Sequence, residues 1–266
     1  MASGRINRHW WWGVSIVIIL IAAFFRLYQL GTHPLGIFFD PAINGLDAVR
    51  LIQRGGHVLF FPTNGGRESL FIYLLIPYIT AFGTTPFAIR ALTATLSLLN
   101  VVVMYAFLRD LGSLSLSVTP GLWYTKWVEK RTQPFLAALG ALTMATMYWH
   151  ISVTRLGQRP ILVPLLAVII YWFFLKGWVN NRRGWFIASG VAMGLAGYTY
   201  GAARVLPVIL MLAIIPEFLI GGRNGSKRRQ VPSLTNLAAF LVTAAIVYAP
   251  MAWYLLNHPV QFAARA

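Results

Sequence analysis

Two of the chain's six acidic residues stand seven positions apart in GIFFDPAINGLD, residues 36–47. A carboxylate can take a proton from a hydroxyl group as a general base. Asp40 and Asp47 would lie two turns apart on roughly one face of a helix. Further on, PTNGGRES supplies Asn64, Arg67 and Glu68. HISVTRLGQRP supplies His150, Arg155 and Arg159, and GYTYGAARV supplies Tyr198, Tyr200 and Arg204. The planar fork of arginine suits phosphate. Several arginines converging where lipid meets water point to an anionic lipid headgroup, whereas one alone would be ordinary interface anchoring. The sequence holds no metal-ligand cluster, nucleophile elbow or Walker loop.

Local pattern gives several of these residues plainer duties as well. Asp40 followed by Pro41 reads as an N-cap with proline at the first helical position, and Gly55 with Gly56 ends that helix. The cap and a role in chemistry are compatible. Asp47 reads as the wet face of the same helix. Pro62, Asn64, Gly65 and Gly66 make a loop. Arg67 and Glu68 then open a second helix, where Glu68 suits the dipole and Arg67 can reach lipid headgroups.

The elements that position these groups are membrane helices. Hydrophobic residues make up 58% of the 266 and charged residues 11%, against about 25% charged in a soluble domain. The runs are continuous and recur at spanning length, roughly 20 residues, unlike the short alternating segments of a β-barrel. The fold class is therefore all-α, a polytopic helical membrane protein. Spans are expected at about 11–30, 86–109, 134–151, 160–178, 185–200, 204–221 and 235–254. The first reads as an uncleaved anchor. There is no cysteine, which excludes disulfides and thiolate catalysis. A net charge of +16 could suggest nucleic acid, but the basic residues cluster between spans, as topology requires. No internal repeat and no soluble domain is visible. Gly190, Gly194, Gly197 and Gly201 read as sites of close helix packing.

Charge also sets orientation. Residues 69–83 form a run of fifteen with Pro77 inside, which suits an interfacial helix. If it does not cross, Arg5, Arg8, Arg109, Lys126, Lys130, Arg131, Lys176, Arg182, Arg183, Arg223, Lys227, Arg228 and Arg229 all fall on one side. That side is the cytoplasm. The loop 31–85, with two interfacial helices, then faces outward and is the only far-side loop large enough to build a site. The expected location is the cell membrane, multi-pass, with the N-terminus and the 110–133 connection inside.

The stretch FRLYQLGTHPLGIFFDPAINGLDAVRLIQRGGHVLFFPTNGGRESLFIYLL resembles the start of bacterial membrane glycosyltransferases of the GT-C fold, relatives of protein O-mannosyltransferases and aminoarabinose transferases. TPFAIRALTATL, HISVTRLGQRPILVP and GYTYGAARVLPV resemble later segments in order. The resemblance covers most of 20–260, excluding 110–133. It implies transfer of a sugar from a polyprenyl-phosphate donor to a hydroxyl on a protein, lipid or glycan acceptor. Asp40 matches the family's first-loop aspartate, and Pro41 stands where glutamate usually follows. Arg67 matches a basic residue near the donor phosphate. The implied set is Asp40 as catalytic base, with Asn64, Arg67, Glu68, Arg155, Arg159, Tyr198 and Arg204 binding substrate. No cofactor is fixed by the residues, and dependence on Mg or Mn varies among such enzymes.

Enzymes of this fold usually have more spans and often a soluble domain. NHPVQFAARA resembles the junction after the seventh span, so residues 1–266 are expected to be a transmembrane domain incomplete at its C-terminus, with a C-terminal half as partner. The other reading is a non-catalytic module that binds lipid or assembles with a partner, in which Asp40 is only a cap. A transporter fits less well, because no acidic residue is placed inside a span as a proton or ion site.

The charge pattern predicts that an impermeant maleimide reaches Asn64→Cys from the extracytoplasmic side. Labelling from the cytoplasmic side alone would overturn the topology.

Overall fold

The computed structural model describes residues 8–118, 133–220 and 232–260. Arg5, residues 119–132 of the 110–133 connection, the Arg223–Arg229 basic cluster and residues 261–266 of the C-terminal junction lie outside the described residues.

Ten α-helices follow in order: α1 (Arg8–Leu27), α2 (Phe39–Arg54), α3 (Leu70–Phe82), α4 (Pro86–Val118), α5 (Gln133–Thr146), α6 (Tyr148–Arg155), α7 (Leu162–Asn180), α8 (Arg183–Ala196), α9 (Leu206–Ile220) and α10 (Leu234–Asn257). Short 3-10 turns at Arg159–Ile161 and Gly201–Val205 lead into α7 and α9. Helix packing runs α1, α5, α4, α7, α8, α10, and α2 and α3 pack against α4. Three helical stretches are long and apolar enough to cross a membrane, Pro86–Leu111, Arg159–Asn180 and Leu234–Asn257. The pair α5–α6 makes a fourth if it counts as one span, bent by 47° at its break. The chain is a helical membrane protein.

The run expected at 134–151 is thus not one straight helix. Its two pieces meet at Met147, whose backbone is extended. Arg26, wholly buried, fills the break. It donates to the carbonyls of Met144 (3.1 Å) and Ala145 (2.8 Å), which end a helix and so lack their own N–H partners. It also bonds Ser97 Oγ (2.5 Å) and meets His150 Nδ1 (2.9 Å), and Asn100 Nδ2 lies 3.1 Å from His150 Nε2. His150 is therefore a core residue of this network and does not join the other candidate side chains.

Between α2 and α3 the chain forms a two-stranded antiparallel hairpin, β1 (Phe60–Phe61) and β2 (Arg67–Glu68), with Phe60 opposite Glu68 and Phe61 opposite Arg67. This corrects the expectation that Arg67 and Glu68 open a helix: α3 starts at Leu70. The connecting loop needs left-handed backbone at Asn64, Gly65 and Gly66, which glycine adopts without steric cost. α3 is 13 residues long, about 20 Å, well short of a bilayer core of about 30 Å. It buries Phe71, Ile72, Leu75 and Ile79 in a core shared with α2, α4 and the start of α7.

The glycine expectation holds at three of four positions. A Cβ on Gly190 would stand 2.5 Å from the Phe240 carbonyl, one on Gly194 2.6 Å from Val247, and one on Gly197 would strike the Tyr248 ring. These are α8–α10 contacts. Gly201 has nothing within 4 Å and is no packing site. Gly190→Ala should therefore cost about 1–3 kcal/mol by overpacking, while Gly201→Ala should leave melting in detergent unchanged. Equal melting shifts for the two would contradict the packing.

Candidate active site

α2 carries Asp40, Asn44 and Asp47 at i, i+4 and i+7, one stripe of its surface. The hairpin loop closes over that stripe. Asn64 Nδ2 donates to Asp40 Oδ1 at 2.6 Å. Arg67 donates to Asn44 Oδ1 at 2.8 Å, to Thr63 Oγ1 at 2.7 Å, and to Asp47 Oδ2. Arg67 has no solvent exposure and Asp47 almost none. The wet-face reading of Asp47 is thus corrected: its carboxylate is the buried counter-ion of Arg67, with Arg50 Nη1 on its other oxygen at 2.8 Å.

Neighbouring residues of a strand point to opposite faces, and the hairpin uses this. Arg67 points to α2, while Glu68 turns to Arg159 Nη1, 3.1 Å away. Both members of that pair are buried. The Glu68 carboxylate therefore has an ion-pair partner, where the sequence suggested a helix dipole. The Arg159 guanidinium lies over the Tyr200 ring at 5.1 Å. Arg204 is exposed in the following 3-10 turn.

Asp40 differs from its expected placement. The helix starts one residue earlier, with Phe38 as N-cap and no side-chain cap bond. Asp40 is second in the helix and Pro41 third. The first intrahelical bond comes from Ala42 N to Phe38 O (3.1 Å). Pro41 thus falls among the positions whose N–H has no partner in any helix, and it costs no hydrogen bond. Asp40 is exposed and sits at the positive end of the α2 dipole. Among the described carboxylates, Asp47, Glu68 and Asp110 have ion-pair partners, and Asp40 has none.

Two expected members are held elsewhere. The Arg155 guanidinium donates to the carbonyls of Phe25, Tyr28 and His33 and makes none of its contacts with the hairpin. The Tyr198 hydroxyl donates to Val247 O (2.9 Å) and accepts from Met251 N (3.3 Å). An unbroken α10 would pair those two groups with each other, but Pro250 lies between them. Tyr198 also touches the hairpin's exit, because its carbonyl accepts from Leu70 N at 3.0 Å. The structure brings together Asp40 with Asn64, Arg67 with Asp47, and Glu68 with Arg159, adjacent pairs along one hairpin. Asn44 and Thr63 join them unforeseen. The i, i+4, i+7 spacing with Asp40 and Asp47 was the available sign for Asn44.

Among the described residues no three His, Asp or Glu side chains are grouped to hold a metal ion.

Arg67→Met would leave Asp47 buried with only the exposed Arg50. A loss of about 3–5 kcal/mol in melting is expected, with most of it restored by the double change Arg67→Met/Asp47→Leu. Arg50→Ala should cost less than about 1 kcal/mol. A double variant no more stable than the single one would disprove the pairing.

A family model described as dolichyl-phosphate-mannose-protein mannosyltransferase matches residues 114–254, more than half of the 266. The match begins beyond the first loop and includes most of the 110–133 connection, unlike the segments that carry the sequence resemblance. No curated protein matches the chain. Among solved structures, the S. cerevisiae protein O-mannosyltransferase Pmt1–Pmt2 complex bound to the sugar donor has a TM-score of 0.64 at 16% identity. The alignment covers 98% of this chain and 35% of that one, so the likeness is one of fold, and the chain spans about a third of that protein's length. With more than half its residues matched, the chain belongs to the dolichyl-phosphate-mannose-protein mannosyltransferase family.

Proposed function

We propose that the protein is a membrane glycosyltransferase that moves a sugar from a polyprenyl-phosphate carrier to a hydroxyl acceptor on protein, lipid or glycan. The observation that carries this is Asp40: an exposed carboxylate, oriented by Asn64, with no cation partner among the described residues, in a chain of this family. Asp40 takes the proton of the acceptor hydroxyl. The acceptor oxygen bonds to the anomeric carbon, and the bond from that carbon to the phosphate oxygen breaks. The electron pair leaves with the polyprenyl phosphate. Arg204, exposed in the 3-10 turn before α9, is the guanidinium assigned to that phosphate. Arg67 and Arg159, each already matched by a carboxylate, hold the hairpin that presents Asn64. A Mg or Mn ion bound with the donor phosphate would neutralise the charge that develops on it.

The reading includes seven crossings, with α1, the α5–α6 pair, α8 and α9 added to the three long spans. It places α2, the hairpin and α3 outside the cell membrane, and the N-terminus in the cytoplasm.

Asp40→Asn tests the base. The substituted carboxamide keeps an oxygen to accept from Asn64, and the loss at the helix dipole is about 0.3–1 kcal/mol, so folding should hold. Transfer from dolichyl-phosphate mannose, measured in membranes carrying the full-length protein, should fall about 10²–10⁴-fold. Unchanged transfer in Asp40→Asn would end the catalytic reading and leave a non-catalytic lipid-binding module in its place.

A further inference from the structure

The segment between α1 and α2 leads straight into Asp40, and two arginines from other helices hold it by its backbone. Arg155, at the end of α6, donates to the carbonyls of Phe25 (3.1 Å), Tyr28 (2.9 Å) and His33 (3.0 Å). Arg90, on α4, donates to Leu30 O (3.2 Å), Pro34 O (2.8 Å) and Gly36 O. Neither forms an ion pair with a carboxylate among the described residues. Phe25 O belongs to the last turn of α1, where the helix dipole is negative, and the other five carbonyls belong to the connector. The turn after α6 adds a third contact. Gly157 has left-handed backbone, and a Cβ placed on it would stand 3.0 Å from Ile89 Cγ2, 3.7 Å from Pro41 Cβ and 3.8 Å from Arg90 Cγ.

We propose that Arg90 and Arg155 are positioning residues for Asp40: they strap the 28–36 connector by its carbonyl oxygens and so fix the first turn of α2. This deepens the reading of Asp40 as general base and rests on it. It also moves Arg155 from the donor phosphate to the connector. Gly36 O is held four residues before Asp40, so its placement sets where the carboxylate stands. The fork geometry is essential. A guanidinium spreads its donors over a plane and reaches several carbonyls at once, whereas a lysine ammonium offers donors from one point.

The test is Arg90→Lys and Arg155→Lys in the full-length protein, which keeps the charge and removes the fork. Two readouts are taken. Hydrogen exchange at Leu30, Thr32 and His33, whose amides close turns in the connector, needs no activity and should accelerate. Turnover of dolichyl-phosphate mannose should lose kcat by about 10²-fold, the penalty of roughly 1 Å misplacement, with donor KM within about twofold because ground-state binding is untouched. A raised donor KM with unchanged exchange would make these arginines phosphate ligands and overturn the proposal, as would wild-type exchange with wild-type kcat. If Arg90→Lys does not fold, Arg155→Lys, partly exposed, gives both readouts alone. Loosened exchange together with an active Asp40→Asn would refute the base and the positioning claim built on it, while leaving the strap itself in place.

Discussion

A buried guanidinium has five N–H donors, and each one left without an acceptor costs free energy. This chain has 22 basic side chains and six acidic ones, so carboxylates cannot supply them all. The structure divides the arginines accordingly. Arg67 and Arg159 take Asp47 and Glu68. Arg26 and Arg90 take main-chain carbonyls, where helices end or break. Each solution fixes backbone: an ion pair joins two side chains, but an arginine on carbonyls holds a turn of chain directly. Buried irregular backbone survives only where its polar groups are satisfied, and Arg26 does this at the α5–α6 break.

The hairpin converts that division into a site. Because its two-residue strands alternate faces, adjacent residues Arg67 and Glu68 clamp different neighbours, α2 on one side and the turn before α7 on the other. Phe60 packs on Met251 and Leu255 of α10, and Leu70 N reaches Tyr198 O. Elements distant in sequence thus meet over eleven residues. A shift of one residue in register would exchange Arg67 and Glu68 between faces, setting a cation against Arg159 and an anion against Asp47. The charge pairs therefore specify the register that the short strands could not hold alone.

The helices were legible in the sequence because burial in lipid leaves a continuous apolar signal. α2 and α3 were legible as short helices outside the long spans, and three of the four packing glycines were legible from their spacing. Boundaries and partners were not. Asp40 read as a cap because aspartate followed by proline is the commoner arrangement, but Phe38 and Phe39 extend the helix backward and Pro41 is tolerated as its third residue. Asp47 read as solvated because a carboxylate on an amphipathic helix usually is. Its burial depends on Arg67, twenty residues away, and no local pattern encodes that. Arg155 and Arg159 looked alike in RLGQR, yet Gly157's left-handed turn sends one to the connector and the other to Glu68. The hairpin was missed because two-residue strands carry no periodicity.

Asp40 gains its character from what surrounds it in this arrangement. The hairpin's buried cations are already matched by Asp47 and Glu68, and its remaining polar reach to α2 is the carboxamide of Asn64. A carboxamide N–H orients a carboxylate without neutralising it, whereas a guanidinium in the same place would do both. The α2 dipole adds favourable field at the second helical position and makes no bond that occupies an oxygen. Pro41 supports this from below: it is buried against Gly157, so the first turn of α2 is packed on one face and open on the other. A carboxylate that must accept a proton from an arriving hydroxyl needs its negative charge, one accessible oxygen and a fixed direction. Asp47, Glu68 and Asp110 are each paired with a cation, and Asp40 keeps all three.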